Sequence, residues 1–118
     1  MTSNEIINRS ELEERLDKDF SLFAELTDLF FDDSLSLLKK IEDSIKRKDA
    51  DSLRKTAHTL KGAVANFSAP RAYDAAFELE TAGRENLLEN ADEQFSILKK
   101  EIDSLTNEMK SILKQGSF

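Results

Sequence analysis

Apolar residues recur at intervals of three and four along most of the chain. In the segment 50–67 these positions are Leu53, Ala57, Leu60, Val64 and Phe67. The segment after Asn90 repeats the spacing with Phe95, Leu98, Ile102, Leu105, Met109 and Ile112. Because a helix has about 3.6 residues per turn, such positions fall on one side, and each segment is predicted to be an amphipathic helix.

Five helices are predicted, and their connections must be short because the chain has only three Gly and one Pro. The expected N-caps are Ser10, Asp19, Asp49 and Asn90, since short polar side chains accept hydrogen bonds from the first backbone N–H groups. Ser68 followed by Pro70 indicates a new helix start, because Pro is tolerated in a first turn. The predicted bounds are Ser10 to about Asp17, about Phe20 to Arg47, about Ala50 to Phe67, a fourth helix ending at about Glu85, and a fifth helix after Asn90.

Each long helix has one apolar side, so none is stable without burying that side against the others. Short connections make consecutive helices antiparallel. We therefore predict an all-α fold, an up-down-up-down four-helix bundle with a short additional N-terminal helix across one end. A single domain should cover residues 1–118, with the bundle core at about 20–113.

Charge and composition argue against several classes of function. The formal net charge is −7, which disfavours nucleic-acid binding. No apolar run is long enough to span a membrane, and the first ten residues lack the order of a signal peptide, so we expect a cytoplasmic protein. With no Cys and one His, we expect no metal site in this chain. We also expect a monomer.

The one histidine, His58, is the candidate for chemistry. It lies one residue past the apolar position Ala57, which turns it about 100° away from that residue, toward water or a cleft at the side of the bundle. Residues three and four positions away share its face. They are Arg54, Lys55, Lys61, Gly62 and Ala65.

Gly62 and Lys61 strengthen this candidate. Gly inside a helix costs about 1 kcal/mol relative to Ala, so something should need the missing side chain. One turn after His58, Gly62 would leave the imidazole accessible to another protein, and Lys61 would place its ammonium near a phosphoryl group on the ring. An ordinary surface lysine and a glycine used for close helix packing remain the alternatives.

The segment from Ala57 to Glu80 resembles the histidine-phosphotransfer (HPt) family, whose signature is His-x-Leu-Lys-Gly followed after five residues by Gly. The matching residues are His58, Leu60, Lys61 and Gly62. The pair Leu79 and Glu80 also looks like bacterial members, and the resemblance spans about Phe20 to Leu113. One departure is Ser68, which stands where the family usually has Gly.

The resemblance implies a phosphorelay intermediate of a two-component system. His58 would accept a phosphoryl group, through Nε2, from the phospho-aspartate of a receiver domain and pass it to another receiver's aspartate. The partners would be response-regulator receiver domains or a hybrid histidine kinase, and the receiver would supply the Mg²⁺. The chain shows no ATP-binding loop, so we expect no kinase activity of its own. We expect Arg54, Lys55, Ala65 and Ser68 to contact the partner.

Other functions stay open at this stage. The same bundle could be a non-catalytic interaction module in which His58 is silent, or the terminal HPt module of a hybrid histidine kinase. An ordinary enzyme such as a hydrolase has no support, because the chain has no Cys and its single His has no apparent acid partner at triad-like placement.

Overall fold

A computed structural model describes residues 5–118, and this part of the chain folds into helices without a strand. The helices are α1 Arg9–Arg15, α2 Phe20–Lys46, α3 Ala50–Ala65, α4 Pro70–Glu85 and α5 Ala91–Gln115. The predicted all-α class is confirmed. The predicted domain range and the expectation about a signal peptide include residues 1–4, which lie outside the described residues.

The four long helices form the predicted bundle. Helix α3 packs against α2 and α4, and α5 packs against α4 and α2, which closes the ring. The connections are short, so neighbours in sequence run in opposite directions. Within residues 5–118, no helix is both long and apolar enough to cross a membrane.

The short helix α1 lies across the end of the bundle where α3 turns into α4. The backbone N–H of Asn8 donates to the carbonyl of Ser68 at 2.8 Å, and Arg9 forms an ion pair with Glu108 near the end of α5. Leu12 on α1 is fully buried. The predicted position of the additional helix is therefore confirmed.

Two of the four predicted N-caps are confirmed in full. Asp19 and Asp49 accept hydrogen bonds from the backbone N–H groups of Leu22 and Ser52. Asn90 occupies the N-cap of α5, but its side chain makes no capping hydrogen bond.

The predicted N-cap of α1, Ser10, was wrong. Its N-cap is Asn8, whose Oδ1 accepts from the backbone N–H of Glu11, while Ser10 lies inside the helix and donates its hydroxyl to the same oxygen. Asn8 and Ser10 are both capping residue types, two positions apart, and the helix starts after Asn8, whose backbone N–H also donates to the Ser68 carbonyl.

The turn between α3 and α4 holds residue 68 in a left-handed conformation. Helix α3 ends at Ala65, two residues earlier than predicted, and Ser68 has a left-handed φ of 53°. Glycine takes this conformation without a steric penalty. Here Ser68 takes it instead, and its hydroxyl donates to Glu11 and accepts from Arg15. It does not cap α4, whose N-cap is Ala69.

Candidate functional site

His58 lies near the middle of α3, on the outside of the bundle. Its neighbours Ala57 and Leu60 are fully buried and fix that part of the helix against the core. The imidazole side chain itself is 65% exposed. The expectation that His58 faces water is therefore confirmed, and the ring is accessible without any movement of the backbone.

Glu80 on α4 is the acid partner of His58. The imidazole Nδ1 lies 3.1 Å from Oε2 of Glu80, whose side chain is only 7% exposed. The sequence-based statement that the histidine has no acid partner was wrong. The two residues are 22 positions apart, and only the packing of α3 against α4 brings them together.

Two cationic side chains also share the Glu80 carboxylate. The Lys61 ammonium lies 2.8 Å from Oε1, a close ion pair, although no hydrogen bond of good angle reaches that oxygen. Arg84, one turn further along α4, donates from Nη2 to Oε2 at 2.8 Å. Oε2 therefore serves both His58 and Arg84, while Oε1 serves Lys61.

The pKa of Glu80 shows that this carboxylate is ionised at neutral pH. Burial raises the pKa of Glu80, but the contacts with Lys61 and His58 together lower it by more than burial raises it. The pKa of Glu80 therefore lies below the usual glutamate value. An ionised carboxylate only accepts hydrogen bonds, so Nδ1 of His58 must be the donor. In the neutral ring, Nε2 then carries the free lone pair and points away from Glu80.

Gly62 leaves open space beside the histidine. A Cβ at this position would meet no neighbouring heavy atom within 4 Å, so close helix packing does not require the glycine. Gly83 on α4 is the glycine that packing requires, because a Cβ there would lie 2.7 Å from the carbonyl oxygen of Ala50 and from the backbone nitrogen of Arg54. Gly83 is not among the residues predicted from the sequence.

Arg54 and Lys55 are not directed at the imidazole. Both pair with Asp51 on the preceding turn of α3, at 3.0 and 3.1 Å. Hydrogen bonds from Arg54 and then Lys55 hold the pKa of Asp51 below its usual value. Their predicted contact with a partner stays a prediction.

Ala65 is the last residue of α3 and Ser68 lies in the turn that follows it, next to α1. They line a surface depression of about 270 Å³ together with Tyr73 and the α1 residues Glu11 and Arg15. Their predicted partner contacts also stay a prediction. Within residues 5–118, no group of three or more His, Cys, Asp or Glu side chains has an arrangement suited to a metal ion.

The site is therefore a group of four residues on two helices. His58 and Lys61 were predicted from their motif, whereas Glu80 had been noticed only as part of a family-like pair and Arg84 not at all. A signal for the last two exists in the sequence, since a glutamate follows the buried Leu79 directly and an arginine stands four residues later.

A protein-family model and two solved structures match this chain. The model of the Hpt domain family matches residues 25–108. A search of curated proteins gives no match.

Two solved structures share the fold. Histidine-containing phosphotransfer protein B (HptB) from Pseudomonas aeruginosa PAO1 is 24% identical, with a TM-score of 0.88 over 96% of this chain and 98% of that chain. The HPT domain from the Hpt sensor hybrid histidine kinase of Shewanella is 20% identical, with a TM-score of 0.78 over 93% of this chain and 95% of that chain.

The family match covers most of the chain and includes the whole four-residue site, from His58 to Arg84. The chain therefore belongs to the Hpt domain family, and its function is phosphotransfer in two-component signalling.

Proposed function

We propose that His58 accepts a phosphoryl group from the phospho-aspartate of a receiver domain and passes it to the aspartate of another receiver. The observation that carries the proposal is the arrangement around the imidazole. The ring is exposed, an ionised buried carboxylate holds Nδ1, and Nε2 is left free. This is the arrangement that a nucleophilic imidazole needs.

The transfer step follows from this geometry. The Nε2 lone pair attacks phosphorus, the P–N bond forms, and the P–O bond to the receiver's aspartate breaks, so that the aspartate leaves as a carboxylate. The ring keeps its proton on Nδ1 and becomes a phosphorylated imidazolium. Glu80 offsets this positive charge, and the reverse sequence with a second receiver returns His58 to its neutral form.

This chain and the receiver both stabilise the charge that the phosphoryl group carries during transfer. Phosphoryl transfer depends mainly on positioning and on neutralising charge at the equatorial oxygens. Lys61 and Arg84 contribute positive charge from this chain, while the receiver supplies its acidic pocket and Mg²⁺. No ATP is needed, since the phosphoryl group arrives already activated as an acyl phosphate.

The remaining expectations belong to the same proposal. Gly62 keeps the approach to the ring open, and Arg54, Lys55, Ala65 and Ser68 contact the docked receiver. The protein acts as a cytoplasmic monomer, with a receiver domain or a hybrid histidine kinase as its partner.

The test is phosphorylation by a receiver. Mixing the protein with a phosphorylated receiver should produce an acid-labile, base-stable label, and His58→Gln should abolish it. Thr59→Gln is a matched control, because Thr59 is the next residue, is also exposed, and should leave the label intact. ATP alone should give no label.

The same experiment tests the alternative of a silent interaction module. If receivers bind both the wild type and His58→Gln but label neither, the phosphotransfer role of His58 is wrong. A label that persists in His58→Gln would place the phosphoryl group on another residue and would also contradict the proposal.

A further inference from the structure

Lys61 is enclosed to a degree that is unusual for a lysine on the outside of a helix. Its side chain is 16% exposed, whereas Lys55 on the same helix is 67% exposed. The ion pair with Glu80 accounts for the end of the side chain.

Two aromatic residues on α4 lie beside this ammonium in addition to Glu80. Tyr73 and Phe77, one helical turn apart, place their ring centroids 5.7 and 5.1 Å from the Lys61 ammonium. Both distances lie within the range of a cation–π interaction. We refer to Tyr73 and Phe77 as the aromatic pair.

Burial in the core does not explain the aromatic pair. Phe77 is 43% exposed and Tyr73 is also exposed, while the core side of α4 consists largely of alanines and Leu79. Two large apolar rings at the surface gain little from burial. Within residues 5–118, the cation–π contact that both rings share is with the ammonium of Lys61.

We propose that Phe77, supported by Tyr73, is a positioning residue that holds the Lys61 ammonium on Oε1 of Glu80. Oε2 is then kept in place to accept from Nδ1 of His58. This inference rests on the proposed function, because it assigns the aromatic pair to the orientation of the phosphorylated imidazole.

The physical argument concerns the two oxygens of one carboxylate. Without the aromatic pair, water competes for the Lys61 ammonium, and Oε1 of Glu80 loses its close cation for part of the time. The carboxylate is then free to rotate and to attract Arg84 or water with either oxygen. The hydrogen bond from His58 becomes less populated, and the ring loses its preference for the proton on Nδ1.

The direct test is the tautomer of His58, which long-range ¹H–¹⁵N NMR spectra report without ambiguity because the chain has one histidine. In alkaline buffer, Phe77→Leu should lower the ratio of the Nδ1–H to the Nε2–H tautomer about two- to fivefold, as expected for loss of one exposed cation–π contact. Phe77→Tyr keeps the ring and should restore the wild-type ratio.

A matched control exists on the other side of the bundle. Lys110 lies 5.6 Å from the ring centroid of Phe31, so Phe31→Leu removes a similar contact between α2 and α5. This control should leave the tautomer ratio unchanged. An equal change in both leucine variants would mean that the effect is general loosening, which would overturn the proposal.

A double-mutant cycle tests the route through Lys61. Lys61→Met should lower the tautomer ratio by itself, and adding Phe77→Leu should then have no further effect. If Phe77→Leu has the same effect with and without Lys61, or no effect in the wild type, Phe77 does not act through Lys61 and the proposal is wrong.

The rate of phosphoryl acceptance gives the second readout. Phe77→Leu should slow acceptance by a similar factor, and Phe77→Tyr should restore it. The tautomer measurement needs no receiver, so it still tests the aromatic pair if no receiver phosphorylates His58. Failure of the proposed function and failure of this inference are therefore distinguishable.

Discussion

Glu80 is the residue on which the site depends most. Burying a carboxylate is costly unless it is paired, and this one has cationic partners on both oxygens. Only Lys61 among these partners is itself largely enclosed, so the attraction to His58 and Arg84 is weakened by solvent. Removing the negative charge would leave Lys61 and Arg84 close together without compensation.

The pH dependence of stability follows from the lowered pKa of Glu80. A carboxyl group whose pKa is lower in the folded state stabilises the fold above its unfolded pKa, about 4.3, and loses this contribution as the pH falls through the folded pKa. Glu80→Gln should therefore be less stable than the wild type by about 1–3 kcal/mol at neutral pH. This difference should shrink below about pH 4.

Urea unfolding of both proteins at a series of pH values measures the difference. Comparing the two proteins cancels the contributions of other carboxyl groups, including Glu11 and Asp51, whose pKa values are also lowered. A difference that stays constant or grows down to pH 3 would show that the pKa of Glu80 is not lowered in the folded protein.

At the scale of helices, the turn from α3 to α4 fixes how the two halves of the site face each other. His58 and Lys61 precede the turn, and Glu80 and Arg84 follow it. Ser68 takes the left-handed conformation in this turn and ties it to α1 through Glu11 and Arg15. The serine thus combines a backbone penalty with two side-chain hydrogen bonds.

Two substitutions separate these contributions. Ser68→Ala keeps the left-handed penalty and loses the hydrogen bonds, so it should destabilise the protein by about 1–2 kcal/mol. Ser68→Gly loses the same hydrogen bonds but removes the penalty, so it should be about 1 kcal/mol more stable than Ser68→Ala. Denaturant midpoints followed by circular dichroism measure both. Equal stability of the two variants would mean that the turn does not keep residue 68 left-handed in solution.

The helices were predictable because each one carries its own signal. The three-four spacing of Leu53, Ala57 and Leu60 defines the buried side of α3, and this leaves His58 outside. Glu80 could not be assigned to His58 in the same way, because the rotation of α4 against α3 depends on packing at Gly83 and on the whole core. Local spacing therefore predicts elements and motifs, while contacts between helices require the assembled fold.

At the scale of the whole molecule, the bundle presents its reactive group on a firmly packed support. The imidazole is exposed, but the residues beneath it and the opposite helix α5 are fixed by fully buried side chains such as Leu60, Leu98 and Leu105. Close-packed cores resist small continuous deformation. Phosphorylation should therefore change the charge at the surface without changing the fold.

This makes a prediction for ¹H–¹⁵N NMR spectra of the backbone amides. Phosphorylation of His58, by a receiver or by phosphoramidate, should shift amide signals in the C-terminal halves of α3 and α4, around Gly62, Glu80 and Arg84. Signals of α1 and of the C-terminal half of α5 should stay in place, since neither contributes a residue to the site. If large shifts spread to Leu12 or Met109, the phosphoryl group repacks the core, and the bundle acts as a switch and not as a rigid carrier.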